Sequence, residues 1–333
     1  MTRTGVFALL AALLLAGCAS HYGSFTLPPL SGPAVSPVLV WEVHPEPVLT
    51  RGAAGEFDAV DALNPSVVSY ENKLYNLYSG YDGKTWHTGL ATSLDGLHWA
   101  RKGRVLSPDG ATWEGDYITA NGSALHIGKA FFYWYQGGRK PSIGLATSLD
   151  ATAWLKQAKP VLQPGPTGSW DEMGVADPYV LQIGDTLYMY YLGQDRAKRQ
   201  RLGLARSKDG LQWEKLVTNP ILELGEANAF DEIGLGEPAV WQSRDSYWML
   251  YTGRDRAENR RLGLARSQDG VHWTRVADGG LSGNLPWNSK VVCDPTVLVE
   301  GNRVRVWFGG GDQPQPAEHL DGQIGYAVLT IGK

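Results

Sequence analysis

The chain has 333 residues, 43% of them hydrophobic, with a formal net charge of −4, thirteen Trp, fifteen Tyr and 41 Gly. A near-balanced charge with no basic block excludes a nucleic-acid footprint, and two cysteines, Cys18 and Cys293, exclude a disulfide-rich scaffold. So many aromatic residues and glycines call instead for a large core crossed by tight turns.

At the N-terminus, Arg3 precedes an apolar stretch from Val6 to Ala16. That stretch is too short to span a bilayer and has the form of a signal sequence. It ends in Leu15, Ala16, Gly17 and Cys18, a run similar to the lipobox of bacterial lipoproteins. The competing reading is an ordinary secretory signal. The resemblance implies cleavage before Cys18 and lipidation of its thiol. Ala19 after the cysteine then implies outer-membrane sorting in a Gram-negative cell, and membrane contact only through the anchor. Residues 1–17 are therefore expected as a lipoprotein signal peptide, 18–37 as an extended tether rich in Pro, Ser and Gly, and 38–333 as the folded domain.

From there the sequence repeats. Each unit opens with a polar residue and a short apolar run, at Asn64, Asn121, Asp177, Glu237 and Asp294. These openers lie 57, 56, 60 and 57 residues apart. An aromatic strand follows in each, at 74–78, 130–135, 187–191, 247–251 and 304–308. A third strand carries Gly-Leu-Ala and runs into a Ser-x-Asp turn and a Trp at 88–99, 143–154, 202–213 and 262–273. The fifth such segment, 324–329, keeps the strand and lacks the turn. Asp-Gly at the turn suits a hairpin, because Gly supplies a positive φ. Residues 41–49 match 154–162 in their Trp, Pro, Val and Leu. The N-terminal strand is thus expected to complete the fifth unit. Four antiparallel strands per unit, repeated five times, predict an all-β, five-bladed β-propeller.

Strand order divides the loops between two faces. The Ser-x-Asp turns lie on one face and are read as structural, their side chains bonding local backbone. The openers lie on the other, where the innermost strands converge. Asn, Asp and Glu all occur at this one position, which favours a binding ring over a capping role. An aromatic-acid pair precedes each opener (Phe57-Asp58, Trp113-Glu114, Trp170-Asp171, Phe230-Asp231, with Trp287-Asn288 fifth) and reads as structural, the acid bonding backbone. Asp61, Trp86, His87, Arg196 and Arg256 are further candidates on the opener side, with Asn64 and Asn121, for substrate binding. Carboxylates, amides and aromatic faces together suit a polyhydroxylated ligand.

The repeated Trp-Asp, Asp-Pro, Tyr-Met-Tyr-Tyr and Gly-Leu-Ala-x-Ser-x-Asp-Gly pattern resembles the five-bladed propeller glycosidase superfamily, which includes glycoside hydrolase families 43, 32, 68, 117 and 130. The resemblance covers nearly all of 38–331 and implies an oligosaccharide or glycan substrate. In family 43 the acids stand at the first three openers; here Asn64 and Asn121 occupy two of those places, so that assignment does not transfer. Glu237 is taken as the general acid, with Asp177 or Asp294 as base or modulator, since a glycosidase needs one protonated and one ionised carboxyl group. A non-catalytic glycan-binding lipoprotein and a glycoside phosphorylase, with phosphate on Arg196 or Arg256, are the competing readings. The scattered histidines give no metal-ligand spacing; no cofactor is expected, and the protein is expected to be a monomer.

Overall fold

The computed structural model describes residues 21–31, 38–243 and 245–332. Cys18 and the expected signal sequence lie outside the described residues, as does much of the expected tether. The described chain is all-β apart from one 3₁₀ turn, Pro286–Asn288.

After β1 (His21–Gly23) and β2 (Leu39–Val43), the strands fall into antiparallel groups in chain order. The first group is β3 (Asp61–Tyr70), β4 (Lys73–Tyr81), β5 (Trp86–Ser93) and β6 (Ala100–Leu106). The second is β7 (Thr119–Ile127), β8 (Ala130–Gly137), β9 (Ser142–Ser148) and β10 (Leu155–Lys156). The third is β11 (Gly174–Ile183), β12 (Thr186–Gln194), β13 (Gln200–Ser207) and β14 (Glu214–Leu216). The fourth is β15 (Gly234–Ser243), β16 (Ser246–Arg254), β17 (Arg260–Ser267) and β18 (Thr274–Arg275). The last is β19 (Val291–Glu300), β20 (Arg303–Gly311) and β21 (Gln323–Ile331), and β2 pairs antiparallel with β21 as its outer strand. The leading strands pack in cyclic order: β3 on β7, β7 on β11, β11 on β15, β15 on β19, and β19 back on β3.

The aromatic strands are buried on both faces because each group is covered by its neighbours. Trp134, Tyr190 and Trp307 reach into the next group and donate to the carbonyls of Gly210, Gly270 and Gly96 in its Ser-x-Asp turn. The Trp that follows three of these turns meets the same aromatic edge-on: Trp213 meets Trp134, Trp99 meets Trp307 and Trp273 meets Tyr190. This is the packing role expected of those residues.

Glu114 of the repeated aromatic-acid pair accepts the backbone N–H of Asp109 at 3.0 Å, as expected, but these acids also reach beyond local backbone. Their main partners are the hydroxyl of an aromatic strand and a cation on the outer strand. Asp58 accepts from the Tyr78 hydroxyl and Arg101, Glu114 from Tyr135 and Lys156, and Asp231 from Tyr251 and Arg275. Asp171 forms a fully buried ion pair with Lys215. The outer strand brings a cation to each of these four acids.

Part of the stretch expected as an extended tether is docked on the domain. β1 adds parallel to β14, and Phe25 and Leu27 are buried, Leu27 completely. Apolar side chains in a Pro-rich stretch gain more by covering the exposed edge of β14 than by remaining in water.

Candidate active site

Each leading strand carries a β-bulge at its opener: the ladder shifts between Leu63 and Ser66, Ala120 and Ser123, Ala176 and Tyr179, Gly236 and Ala239, and Cys293 and Thr296. All five openers sit in the left-handed region, with φ between 45° and 52°. This is unusual for residues other than Gly and costs energy. A bulge re-aims a side chain out of the strand's alternation, and the residue that follows is Pro in four cases and Gly122 in the other. Proline has no N–H to lose from the ladder.

The outcome is a shared cavity of about 290 Å³ lined by all five openers, Asn64, Asn121, Asp177, Glu237 and Asp294. Trp86, Gln136, Gln194, Gln200, Thr252, Arg254 and Arg260 line it as well. The convergence expected from the repeat is therefore present, and of the further candidates Trp86 lines the cavity, stacked on Tyr81.

The remaining candidates are placed elsewhere. Asp61 is fully buried beneath the β20–β21 connection and accepts the backbone N–H groups of His319, Leu320 and Gly322 at 2.8–3.0 Å. It therefore holds a loop whose Leu320, Pro316 and Ala317 line the cavity. His87 is buried between Ser107 and Asp82 and is not part of the lining. Arg196 pairs with Glu172, and Arg256 with Glu232, both outside the cavity with largely exposed side chains. The cavity's guanidinium groups are those of Arg254, the last residue of β16, and Arg260, the first of β17. Arg256 lies past the end of β16, in the loop, where strand geometry no longer aims it at the cavity. No spacing rule singled out Arg260.

Hydrogen bonds fix most of the ring. The Ser79 hydroxyl donates to Asn121 Oδ1 at 3.0 Å, which turns the Asn121 amide toward Asp177 Oδ1 at 3.3 Å. Asp294 Oδ2 accepts from the Asn64 N–H at 3.3 Å and the Cys293 thiol at 3.1 Å. Arg260 Nη2 donates to the carbonyls of Gln315 and Pro316, and Arg254 Nη2 to Gln200 Oε1. Among the described residues, three buried atoms on cavity residues are left without a hydrogen bond: Glu237 Oε2, Arg260 Nη1 and Arg254 Nε, the last only ion-paired with Glu258. An unpaired buried polar atom costs about 1–3 kcal/mol, more when charged, and a ligand that satisfies it recovers that cost.

Burial pushes the Asp177 carboxyl well above the usual aspartate range, and the charge of Glu237 pushes it further. The same two causes, in the same order, raise Asp294. Burial, followed by the charge of Asp294, raises the Cys293 thiol as well, so it acts here as a neutral donor. Carboxyl groups in one water-poor cavity cannot all ionise. Among the described residues no group of three or more His, Cys, Asp or Glu is placed to hold a metal ion.

Comparison with known proteins agrees with the fold. Residues 128–275 match the profile of a family described as β-1,4-mannooligosaccharide phosphorylases. An uncharacterised protein of Mycobacterium tuberculosis is 28% identical over 231 residues, covering 64% of this chain and 75% of that protein. The sucrose-6-phosphate hydrolase of Salmonella typhimurium is 30% identical over 161 residues, covering 47% of this chain and 32% of the enzyme. A solved structure from glycoside hydrolase family 130, a family of mannoside phosphorylases containing hydrolases that target β-1,2 mannosidic linkages in Candida mannan, superposes with a TM-score of 0.69. Its sequence identity is 16%, with 92% of this chain and 96% of that chain covered. The resemblance to the propeller glycosidase superfamily holds. The propeller glycosidases thus supply the fold, and the chemistry must be read from this chain's own cavity.

Proposed function

We propose that this chain is a carbohydrate-active enzyme that cleaves a glycosidic bond in the axial cavity of a five-bladed propeller. The five strand groups are its blades, and the β2–β21 pair closes the ring. A manno-oligosaccharide is the first substrate to test, because the matching family profile and the solved relative both concern mannosides.

The observation that carries the proposal is the set Asp177, Glu237 and Asp294 lining one cavity, with the two aspartates pushed toward the protonated form. Cleavage needs one carboxyl group that still holds its proton at working pH, and a second that is charged. From the sequence, Glu237 was expected to be the proton donor. The burial of the two aspartates favours one of them as the donor instead. Of the two, Asp177 is the better donor. Its carboxyl is held by one amide, whereas Asp294 has two donors that favour its ionised form. Asp177 then protonates the leaving oxygen, and Glu237 faces the sugar carbon or the group that attacks it.

The attacking group is water or inorganic phosphate. Arg254 and Arg260 favour phosphate as a second reading, since a guanidinium with an unused donor matches a phosphate oxygen. The test is incubation of the purified domain with manno-oligosaccharides, with and without phosphate. Release of free sugar in both conditions indicates hydrolysis. A sugar phosphate formed only with phosphate indicates phosphorolysis. Binding without turnover across the panel overturns the enzyme reading in favour of a glycan-binding protein.

A further inference from the structure

The cavity and the Ser-x-Asp turns lie at opposite ends of the same strands. β5 begins at Trp86, which lines the cavity, and ends at Ser93 in its turn; β13 runs likewise from Gln200 to Ser207, and β17 from Arg260 to Ser267. Eight residues of strand separate the two faces by about 25 Å.

The N-terminal segment sits on the turn face. His21 pairs beside Glu214, just past the turn of the third group. The Leu27 and Leu30 N–H groups donate to the carbonyls of Asp269 and Gln268, in the turn of the fourth, at 2.9 and 2.8 Å. The Tyr247 hydroxyl donates to the Pro28 carbonyl, and Arg206 covers the Phe25 ring. Cys18 precedes His21 by three residues, which reach no further than about 11 Å. Whatever is attached to Cys18 is therefore held close to this face.

The same face exposes apolar side chains that the turns do not need. In both of the first two turns the Ser and Asp side chains accept the backbone N–H groups. The residue between them is Leu94 in the first group and Leu149 in the second, 83% and 79% exposed. Single exposed leucines are ordinary; here two stand on adjacent turns, next to the group where the N-terminal segment docks.

We propose that the turn face lies against a lipid bilayer, Leu94 and Leu149 entering its interfacial zone beside the acyl chains on Cys18, with the cavity opening away from the membrane. This rests on reading Cys18 as a lipidated cysteine, and it is independent of which bond the cavity cleaves. The anchor supplies the affinity, and the two leucines with the short link set the orientation.

The test uses the full chain expressed in a bacterium that acylates lipoproteins, then reconstituted on phosphatidylethanolamine–phosphatidylglycerol vesicles. Mass spectrometry of the N-terminal peptide reads acylation of Cys18. Leu94→Cys, Leu149→Cys and Met173→Cys variants each carry an environment-sensitive fluorophore; Met173 is exposed beside the cavity-lining Gly174, and Cys293 is buried and does not compete for label. Spin-labelled lipids are expected to quench the probes at 94 and 149 at least severalfold more than the probe at 173. Acylated protein with equal quenching at all three sites, or with quenching at 173 alone, overturns the orientation while leaving the anchor. A peptide mass without acyl chains overturns the anchor and the proposal together. Probes at 94 and 149 that stay in water on acylated protein also overturn it, and leave the face to a protein partner.

Discussion

The two faces of this molecule use the same side chain to opposite ends. On the turn face, Asp95 accepts the N–H groups of Leu97 and His98 and the hydroxyl of Ser93. The His98 amide, then its ring, hold the Asp95 carboxyl well below the usual range. On the cavity face, Asp177 and Asp294 are buried with few donors and pushed up. One face resolves its polar groups within the chain, and the other leaves them for something else to resolve. A repeat can therefore be structural at one end and chemical at the other, and satisfaction of hydrogen bonds tells the ends apart better than residue type.

The largest effect that sharpens this contrast is expected at Asp177. Asp177→Asn should lower turnover of a natural oligosaccharide by roughly 10³-fold, about 4 kcal/mol of barrier. A dinitrophenyl glycoside, whose leaving group needs no proton, should lose far less. Equal losses on both substrates would remove Asp177 as the proton donor.

Next is the scaffold between the faces. Lys215→Met leaves Asp171 buried and unpaired, and should cost about 3–5 kcal/mol of stability in chemical denaturation. The turnover of protein that remains folded should not change. A smaller effect is expected on the turn face itself. Asp209→Ala removes an acceptor for the N–H groups of Leu211 and Gln212 and should cost about 1 kcal/mol, again with turnover intact. A large loss of activity in this variant would break the division between the faces.

The smallest effect concerns pH. Because the Asp294 carboxyl is raised in the fold, the folded chain binds more protons than the unfolded chain above the ordinary aspartate value of 3.8. Stability contributed by this group is present below that value and is lost as the pH rises through the raised one. Asp294→Asn should therefore melt like the native protein near pH 4 and at a higher temperature, by about 2 °C or more, at pH 7. Asp95 carries the opposite sign. Its stabilisation is present above 3.8 and fades as the pH falls through its depressed value. Parallel melting curves of the Asp294→Asn variant and the native chain at all pH values would contradict the burial argument.

The repeat and the convergence of its openers were legible because both follow from spacing: a period near 57 leaves little choice but to bring equivalent residues to one axis. The outer position of β2 was legible from its match to 154–162. What was not legible depends on register and on burial. Arg254 and Arg260 face the cavity while Arg256 does not, because of their places at strand ends. Asp61 looks like a site residue in sequence, yet three amides consume it. The proton donor depends on desolvation, which no motif encodes. One signal was present and unread. Trp99, Trp154, Trp213 and Trp273 are each followed two residues later by Arg101, Lys156, Lys215 and Arg275, the cations that meet the buried connector acids.

The partnership of β2 with β21 sets a schedule on assembly. Leu39–Val43 leaves the ribosome long before its partner, Gln323–Ile331. Until then the strand's hydrogen-bonding edge and Trp41 have no place to go, which makes the nascent chain dependent on protection during synthesis. A product cut short before Gln323 would keep four complete strand groups and carry an unpaired first strand as its aggregation hazard.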